Sequence, residues 1–551
     1  MRLRRLGARP RAIPTRQGLD GSPALVRALA LCPLLRCHPA APPTRRPRRC
    51  GPAWLGGCHD RGDRVGLRHH PLRLFRGLAC LLLQRLYGDP RGVAAARLAP
   101  PGRDTTSGRN RRGARRVKRW YGVRRLYEAS FRDRVLLMLV LGIAAYYVTW
   151  SVVQWLTLTP DSLRFDFVNY FGGAQAAARG TDIYADFKQS WGTQAWVVAY
   201  IYPPFFALVL APLTAFGLLA AARIWLLAVH AAFFGSLLLM LRIHPELTRS
   251  GRRLLLLASL GFMPVYLNLK FQQVATVWLL LITATLWAAL RRRTGLAGAF
   301  IAAAASLKVS PIFLIPLFAR LGRWRIALTG GAMLVALTVI TMLAAPGSWQ
   351  FFTVVLPRIG LGTANWDNGS IDGLVSRIAE LAPTLFGSAT QTIAKVAIGA
   401  AAVTVIGVTL WVARRGGNEA WSLRLSVSAL VTALLIVSSV TWQHHLVTLL
   451  LPLATGVAWI TVRRPGARYG WWLLAAYAMC WMDRRAFPLP ADMQVHSWSD
   501  AALVLAGTSV KLIGLLLLWS LLLQMLRVEA RWASVRQLDQ SVAGAAAQPA
   551  A

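Results

Sequence analysis

The chain has 551 residues, 55% of them hydrophobic and only 15% charged, with a mean hydropathy of +0.45. That balance excludes a string of ordinary soluble domains and suits a polytopic membrane protein. A formal net charge of +42 would suit a nucleic-acid partner, but about half of the basic residues precede Val135. The rest sit mostly in short clusters between apolar runs, as cytoplasmic loops do, so no nucleic-acid partner is expected.

Residues Met1 to about Arg116 are rich in Arg, Pro, Gly, Cys and His, lack a sustained helical or strand period, and hold five of the six cysteines (Cys32, Cys37, Cys50, Cys58, Cys80). Such a segment cannot build a core, and its cysteines form neither a disulfide framework nor paired metal-ligand spacing. It reads either as an upstream extension, with native synthesis starting near Val117, or as a basic cytoplasmic tail that grips anionic lipid. An integral membrane domain is expected over 117–526, with a disordered cytoplasmic tail over 527–551.

Each crossing needs about 20 apolar residues, because every backbone polar group must be satisfied internally. Val135 to Leu156 meets that and follows Arg124, Arg125, Arg132 and Arg134, so it starts on the cytoplasmic side. Further spans are expected at Leu218–Leu241, Leu254–Leu267, Val274–Leu290, Ile326–Ala344, Ile393–Ala413, Leu423–Val440, Leu446–Val462, Trp471–Met482 and Ala501–Leu526. Basic clusters at Arg249/Arg252/Arg253, Arg291 to Arg293, Arg320/Arg323/Arg325, Arg414/Arg415, Arg463/Arg464/Arg468 and Arg527/Arg531 mark cytoplasmic bends. Two segments fit this sidedness only if broken. Tyr202 to Phe216, with prolines at 203, 204 and 212, reads as a broken outer-leaflet helix; Gly295 to Phe318 reads as two short helices meeting near Lys308, Ser310 and Pro311. Broken helices at membrane depth line cavities or lie buried in protein, so a cavity is expected near Lys308.

Three loops then face outward: Thr157 to Tyr200, Pro346 to about Gln391, and the turn Trp442 to His445. Asp166 in the first is placed to act as a general base at the membrane surface, or merely to cap the helix that follows. His444 and His445 close a span beside Trp442, where they either serve a phosphate or sit as interfacial side chains. Lys308 lies in a small-residue apolar run, and a buried ammonium there needs an anion. Lys270, Arg358 and Arg377 add outer cations, which either meet a negatively charged head group or snorkel. The amides of Asn365-Trp-Asp-Asn368-Gly-Ser370 suit either a sugar or an ordinary turn.

The order Asp166-Phe-x-x-Tyr170, Gly180-x-x-Ile-Tyr184, Tyr202-Pro-Pro-Phe, a turn centred on Gln273, Ala303 to Lys308-x-x-Pro311, Asn368-Gly-Ser370 and Trp442-Gln-His-His445 resembles glycosyltransferase family 87 over roughly Arg134 to Leu526. The resemblance implies an all-α, C-type membrane glycosyltransferase with about ten to twelve transmembrane or broken helices. It would transfer a hexose, mannose foremost, from a polyprenyl-phosphate sugar to a lipid or glycan acceptor. Transfer would occur on the extracytoplasmic side of the cell membrane, with inversion and without a metal or other cofactor. Asp166 becomes the expected base, with His444 and His445 at the reacting centre. Lys308, Lys270 and Arg358 would take the donor phosphate, and Tyr170, Tyr184, Tyr202, Gln273, Asn368, Ser370 and Trp442 the substrates. The family's Gly-Gln-x-Asn turn is Gln272-Gln273-Val274-Ala275 here, without the glycine and the asparagine. A polyprenyl-phosphate arabinofuranosyltransferase and a lipid-linked sugar flippase are the alternatives.

Overall fold

The computed structural model describes residues 109–546 apart from 164, 191–198, 382–388, 414–418 and 484–497. The leader to residue 108, the Arg414/Arg415 cluster and the last five residues lie outside the described residues. All regular structure among the described residues is helical. In chain order the helices are α1 Arg109–Leu156, α2 Phe165–Ala178, α3 Ala185–Ser190, α4 Pro204–Leu210, α5 Gly217–Ile243, α6 Arg249–Leu260, α7 Met263–Lys270, α8 Ala275–Leu290, α9 Thr294–Leu307, α10 Leu314–Arg320, α11 Trp324–Ala344, α12 Leu356–Ile359, α13 Ile371–Leu381, α14 Thr390–Val412, α15 Glu419–Val437, α16 Leu450–Arg463, α17 Ala467–Trp481 and α18 Trp498–Ala546.

Among the described residues, seven segments are long and apolar enough to cross a membrane: Asp133–Leu156, Pro204–Ile243, Trp324–Ala344, Thr390–Val412, Glu419–Val437, Gln443–Arg463 and Ser499–Trp532. α8, α9 and α10 are shorter apolar helices. α15 and the segment around α16 are walled in by neighbours, whereas α11 and α14 turn Leu328, Leu343 and Val403 outward. Apolar residues so exposed along whole helices belong against hydrocarbon, not water.

The two breaks expected from proline are present. After α4 the chain tightens into a 3-10 turn, Ala211–Phe216, and Gly217, the first residue of α5, takes φ +72°. α9 stops at Leu307, Lys308 is extended, and a 3-10 turn Ser310–Phe313 leads into α10. A third break was not expected: Leu254 to Leu267 is not one span but the end of α6 and most of α7, separated at Gly261-Phe262. Pro264 in the first turn of α7 lacks the N–H a continuing helix would use. The expected disordered tail from residue 527 is likewise corrected. α18 continues to Ala546, and Glu529, almost fully buried, accepts the Arg463 guanidinium on both oxygens (2.7 and 2.9 Å) and the Trp459 indole N–H (2.7 Å). A buried carboxylate so satisfied anchors the helix past the apolar run.

The arginine-rich bends gather ion pairs at one end of the bundle: Arg253 with Asp133, Arg424 with Glu246, Arg323 with Glu419 and Arg463 with Glu529. α8, α9 and α15 each have one terminus there. Their other termini are Ala275, Leu307 and Val437, and around these the remaining polar residues assemble.

Candidate active site

α2 buries Phe167, Tyr170, Phe171 and Ala174, spaced as one helical face. Gly173 is needed because a Cβ there would run into the Tyr200 ring. The helix starts at Phe165, so Asp166 lies within its first turn instead of capping a helix from Phe167. Asp166 and Tyr170 stand four residues apart and share a face. The Gln273 side chain lies beside the Asp166 carboxylate and acts to lower its pKa. The Gln273 oxygen accepts the Tyr170 hydroxyl at 2.9 Å and the Tyr202 hydroxyl at 3.3 Å, and the two hydroxyls are 3.1 Å apart. With the oxygen so occupied, the Gln273 NH2 is the group left to meet the carboxylate. Burial pushes the Asp166 carboxyl up to about 6, against the lowering effect of the Gln273 amide. Tyr184 supports this shell from behind by donating to the Tyr202 carbonyl at 2.7 Å.

Gln273 is presented by a strained turn. Gln272 sits at φ +54°, where glycine is at home, and its carbonyl accepts the Trp225 indole N–H at 2.7 Å. The Gln273 N–H bonds the Asn268 carbonyl at 2.8 Å, while the Asn268 side chain is fully buried with neither amide atom partnered. The turn therefore reaches two ways. Gln273 meets Asp166 on α2, and Phe271 meets the His444 ring with centroids 5.8 Å apart.

The cations form the second half. Lys308 ends α9 with its ammonium 5.3 Å from the centre of the Trp278 ring on α8. Among the described residues no carboxylate pairs with it. A cation held on an aromatic face is stabilised without being neutralised, and its charge remains for an anion. Lys308 acts electrostatically on both His444 and His445, which lie in the 3-10 turn Gln443–Leu449 packed against α7 and α8.

The two histidines differ. His445 accepts the Trp442 backbone N–H on Nδ1 (3.2 Å), so it closes the turn. His444 is buried, and its Nε2 has no partner. Trp442, half-buried, supplies the backbone groups of this turn.

Asn368 and Ser370 are fully buried and committed to structure. The Asn368 NH2 bonds the carbonyls of Thr363 (3.0 Å) and Ser439 (2.9 Å), and its oxygen accepts the Thr441 N–H (2.9 Å) and the Ser370 hydroxyl (2.8 Å). Arg377 donates to the carbonyls of Asn365 and Asn368, and its burial pulls the guanidinium down to about 10. These residues knit the loop 363–370 to the loop 438–442, which shapes the site without facing it. Arg358 is half-buried on α12. Lys270 is exposed at the end of α7, on a groove of about 390 Å³ also lined by Tyr146, Trp150, Tyr266 and Trp481. A groove of about 290 Å³ is lined by Pro203, Pro204, Ser306, Val309 and Phe351, among others, but Lys308 itself does not line it.

Two polar residues here escaped the sequence reading: Gln443, and Lys511 on α18, whose ammonium lies 3.1 Å from the Gln443 oxygen and 3.9 Å from Asp367. Lys511 sits within the expected span Ala501–Leu526, and the rule that singles out Lys308, a cation inside an apolar run, applies to it equally.

Glycosyltransferase family 87 matches residues 200–439, a stretch that holds Tyr202, Gln273 and Lys308 but not Asp166 or His444. The chain resembles family 87 through this central part, and among the described residues seven segments are long and apolar enough to cross a membrane. Among curated relatives, a polyprenol-phosphate-mannose-dependent alpha-(1-2)-phosphatidylinositol pentamannoside mannosyltransferase of Mycolicibacterium smegmatis is 27% identical, covering 61% of this chain and 80% of the relative. The protein of the same description from Mycobacterium tuberculosis is 25% identical over 67% of this chain and 84% of its own. A solved structure of ArnT from Cupriavidus metallidurans bound to undecaprenyl phosphate is 14% identical with a TM-score of 0.36, covering 71% of this chain and 78% of that one.

Proposed function

We propose that the protein transfers a mannosyl group from a polyprenyl phosphate to the hydroxyl of a lipid or glycan acceptor, with inversion, at the extracytoplasmic face of the cell membrane, using a C-type glycosyltransferase fold. The observation that carries this reading is the Asp166–Gln273–Tyr170–Tyr202 shell, joined by the turn 271–273 to the histidine turn and to Lys308 beyond it. The relatives' polyprenol-phosphate-mannose dependence supports the donor. The arginine-rich bends at the opposite end support the outward face of the site.

In this reaction the acceptor oxygen forms a bond to the anomeric carbon as the bond from that carbon to the phosphate oxygen breaks. Attack from the side opposite the leaving group inverts the centre. Asp166 takes the acceptor proton, and a carboxyl raised to about 6 remains ionised at neutral pH while being more basic than a solvated one. The electron pair leaves with the polyprenyl phosphate, whose charge Lys308 and His444 stabilise. Lys270, beside the apolar groove, and Arg358 are read as steering the lipid phosphate inward. Asn368 and Ser370 are read as supporting the acceptor side through the loops they hold.

Purified protein in lipid, given radiolabelled polyprenyl-phosphate mannose and a membrane lipid extract, should form a labelled glycolipid and release polyprenyl phosphate. Movement of the donor across vesicles without product would instead establish a flippase, and transfer from the arabinofuranose donor alone would reassign the sugar.

A further inference from the structure

The histidine turn carries Gln443 and is reached by Lys511, two groups that the transfer chemistry above leaves unused. Gln443 and His444 are more than nine-tenths buried, and the Gln443 NH2 and His444 Nε2 both lack partners. Lys511 reaches this turn from α18 and Lys308 acts on it from the end of α9. A primary amide has one acceptor end and one donor end, and an ammonium only donates. By donating to the Gln443 oxygen at 3.1 Å, Lys511 fixes which way the amide faces. The NH2 must then point away from Lys511, and it is this end that is left unsatisfied. Leaving two neighbouring buried polar groups without partners is unfavourable unless a ligand meets them. Two cations alongside specify an anion as that ligand. Asp367, 3.9 Å from Lys511, offsets part of its charge and helps hold the ammonium at the amide.

We propose that the Gln443 NH2 and the His444 Nε2–H are paired hydrogen-bond donors to the oxygens of a phosphate monoester, and that Lys511 is the positioning residue that orients the amide for it. The proposal rests on the transferase reading for the origin of the phosphate, the polyprenyl phosphate left after transfer. It adds to that reading Gln443 as a second donor beside His444, and a remote orienting cation. Lys511 itself is assigned no contact with substrate. Its action runs through Gln443, which distinguishes it from Lys308.

The test is equilibrium binding to the full chain in lipid nanodiscs, with undecaprenyl phosphate, undecaprenol and inorganic phosphate as probes. Hydrogen bonds to a charged group contribute about 1.5–3 kcal/mol, so undecaprenyl phosphate is expected to bind at least about 10-fold tighter than undecaprenol. Gln443→Glu puts an acceptor where the donor stood and should abolish that preference while leaving undecaprenol binding unchanged. Lys511→Met should reduce the preference about 10-fold, and Lys511→Arg, which keeps a donor to the amide oxygen, should restore most of it. Inorganic phosphate competing with the lipid would assign the site to the phosphate group itself, and failure to compete with lipid-phosphate preference intact would assign it to the lipid-borne monoester. An unchanged phosphate preference in Gln443→Glu would overturn the proposal. If Lys511→Met does not fold, the comparison of Gln443→Glu with Lys511→Arg decides. No step of this test needs sugar transfer, so a chain that binds the phosphate through these groups but forms no glycolipid would sink the transferase reading alone.

Discussion

Asp166 and Gln273 lie 107 positions apart, yet the amide acts directly on the carboxylate, although the first belongs to an outer helix and the second to a turn between two helices of the bundle. Burial raises the carboxyl and the amide lowers it, leaving it near 6. A base must be deprotonated to act, so kcat/KM for transfer should fall as pH drops through about 6. In Gln273→Leu the lowering influence of the amide is gone and the burial remains, so the acidic limb should move to higher pH. A limb that stays in place would mean that another group sets it.

Asp166→Asn should reduce transfer by about 10²–10⁴-fold, the usual worth of a positioned base. Its stability should move the other way. A folded-state carboxyl raised above its unfolded value gives stability that is fully present below the unfolded value and is lost as pH rises through about 6. At neutral pH the ionised Asp166 therefore opposes folding, and the uncharged asparagine relieves it. Thermal unfolding in detergent should show Asp166→Asn no less stable than the parent, and a clear loss of stability would make the carboxylate a structural group.

The adjacent histidines should separate cleanly. His445 closes its turn by accepting the Trp442 N–H, so His445→Ala should lower stability by about 1–3 kcal/mol. His444, with an unpartnered Nε2, should lose transfer in His444→Ala with little change in unfolding temperature. The opposite pattern would exchange their roles.

This difference marks where the sequence stops being informative. The broken segment around Lys308 is legible, because prolines and a cation interrupt an apolar run that lies between two arginine clusters. The four-residue shell of Asp166, Tyr170, Tyr202 and Gln273 comes from the ordered motifs of a family, since nothing in local spacing brings residues 166 and 273 together. Which ring nitrogen is satisfied depends on how the 442–445 turn folds on itself, and that has no periodic signature. Asn368 and Ser370 look equally able to bind a sugar or to brace a loop; their partners at 363, 439 and 441 decide for bracing. The interruption at Gly261-Phe262 hid inside a run apolar enough to pass for a crossing, and Lys511 hid inside a long one.

The turn at Gln272 offers a prediction of opposite sign to most. A side chain at φ +54° is unfavourable by about 1–2 kcal/mol relative to glycine, and the buried Gln272 oxygen gains no partner in return. Its contact with Trp225 runs through the backbone carbonyl and survives substitution. Gln272→Gly should therefore raise the unfolding temperature and keep transfer. A drop in stability would show that the Gln272 side chain makes a contact that outweighs the strain.

At the far end of the bundle, Glu529 is almost fully buried and owes its charge balance to Arg463, which also stacks 5.3 Å over Trp532. Removing one member of a buried pair leaves the other uncompensated, at about 3–5 kcal/mol. Arg463→Met strands a carboxylate whose remaining donor is the Trp459 indole, so it should destabilise more than Glu529→Gln, which leaves a guanidinium able to reach solvent. The double variant Arg463→Met/Glu529→Gln has no stranded charge and should be more stable than Arg463→Met alone. Unfolding temperatures of the four proteins form a complete cycle. Simple additivity would mean that the two charges do not depend on each other, and that the helix beyond Leu526 is held by packing alone.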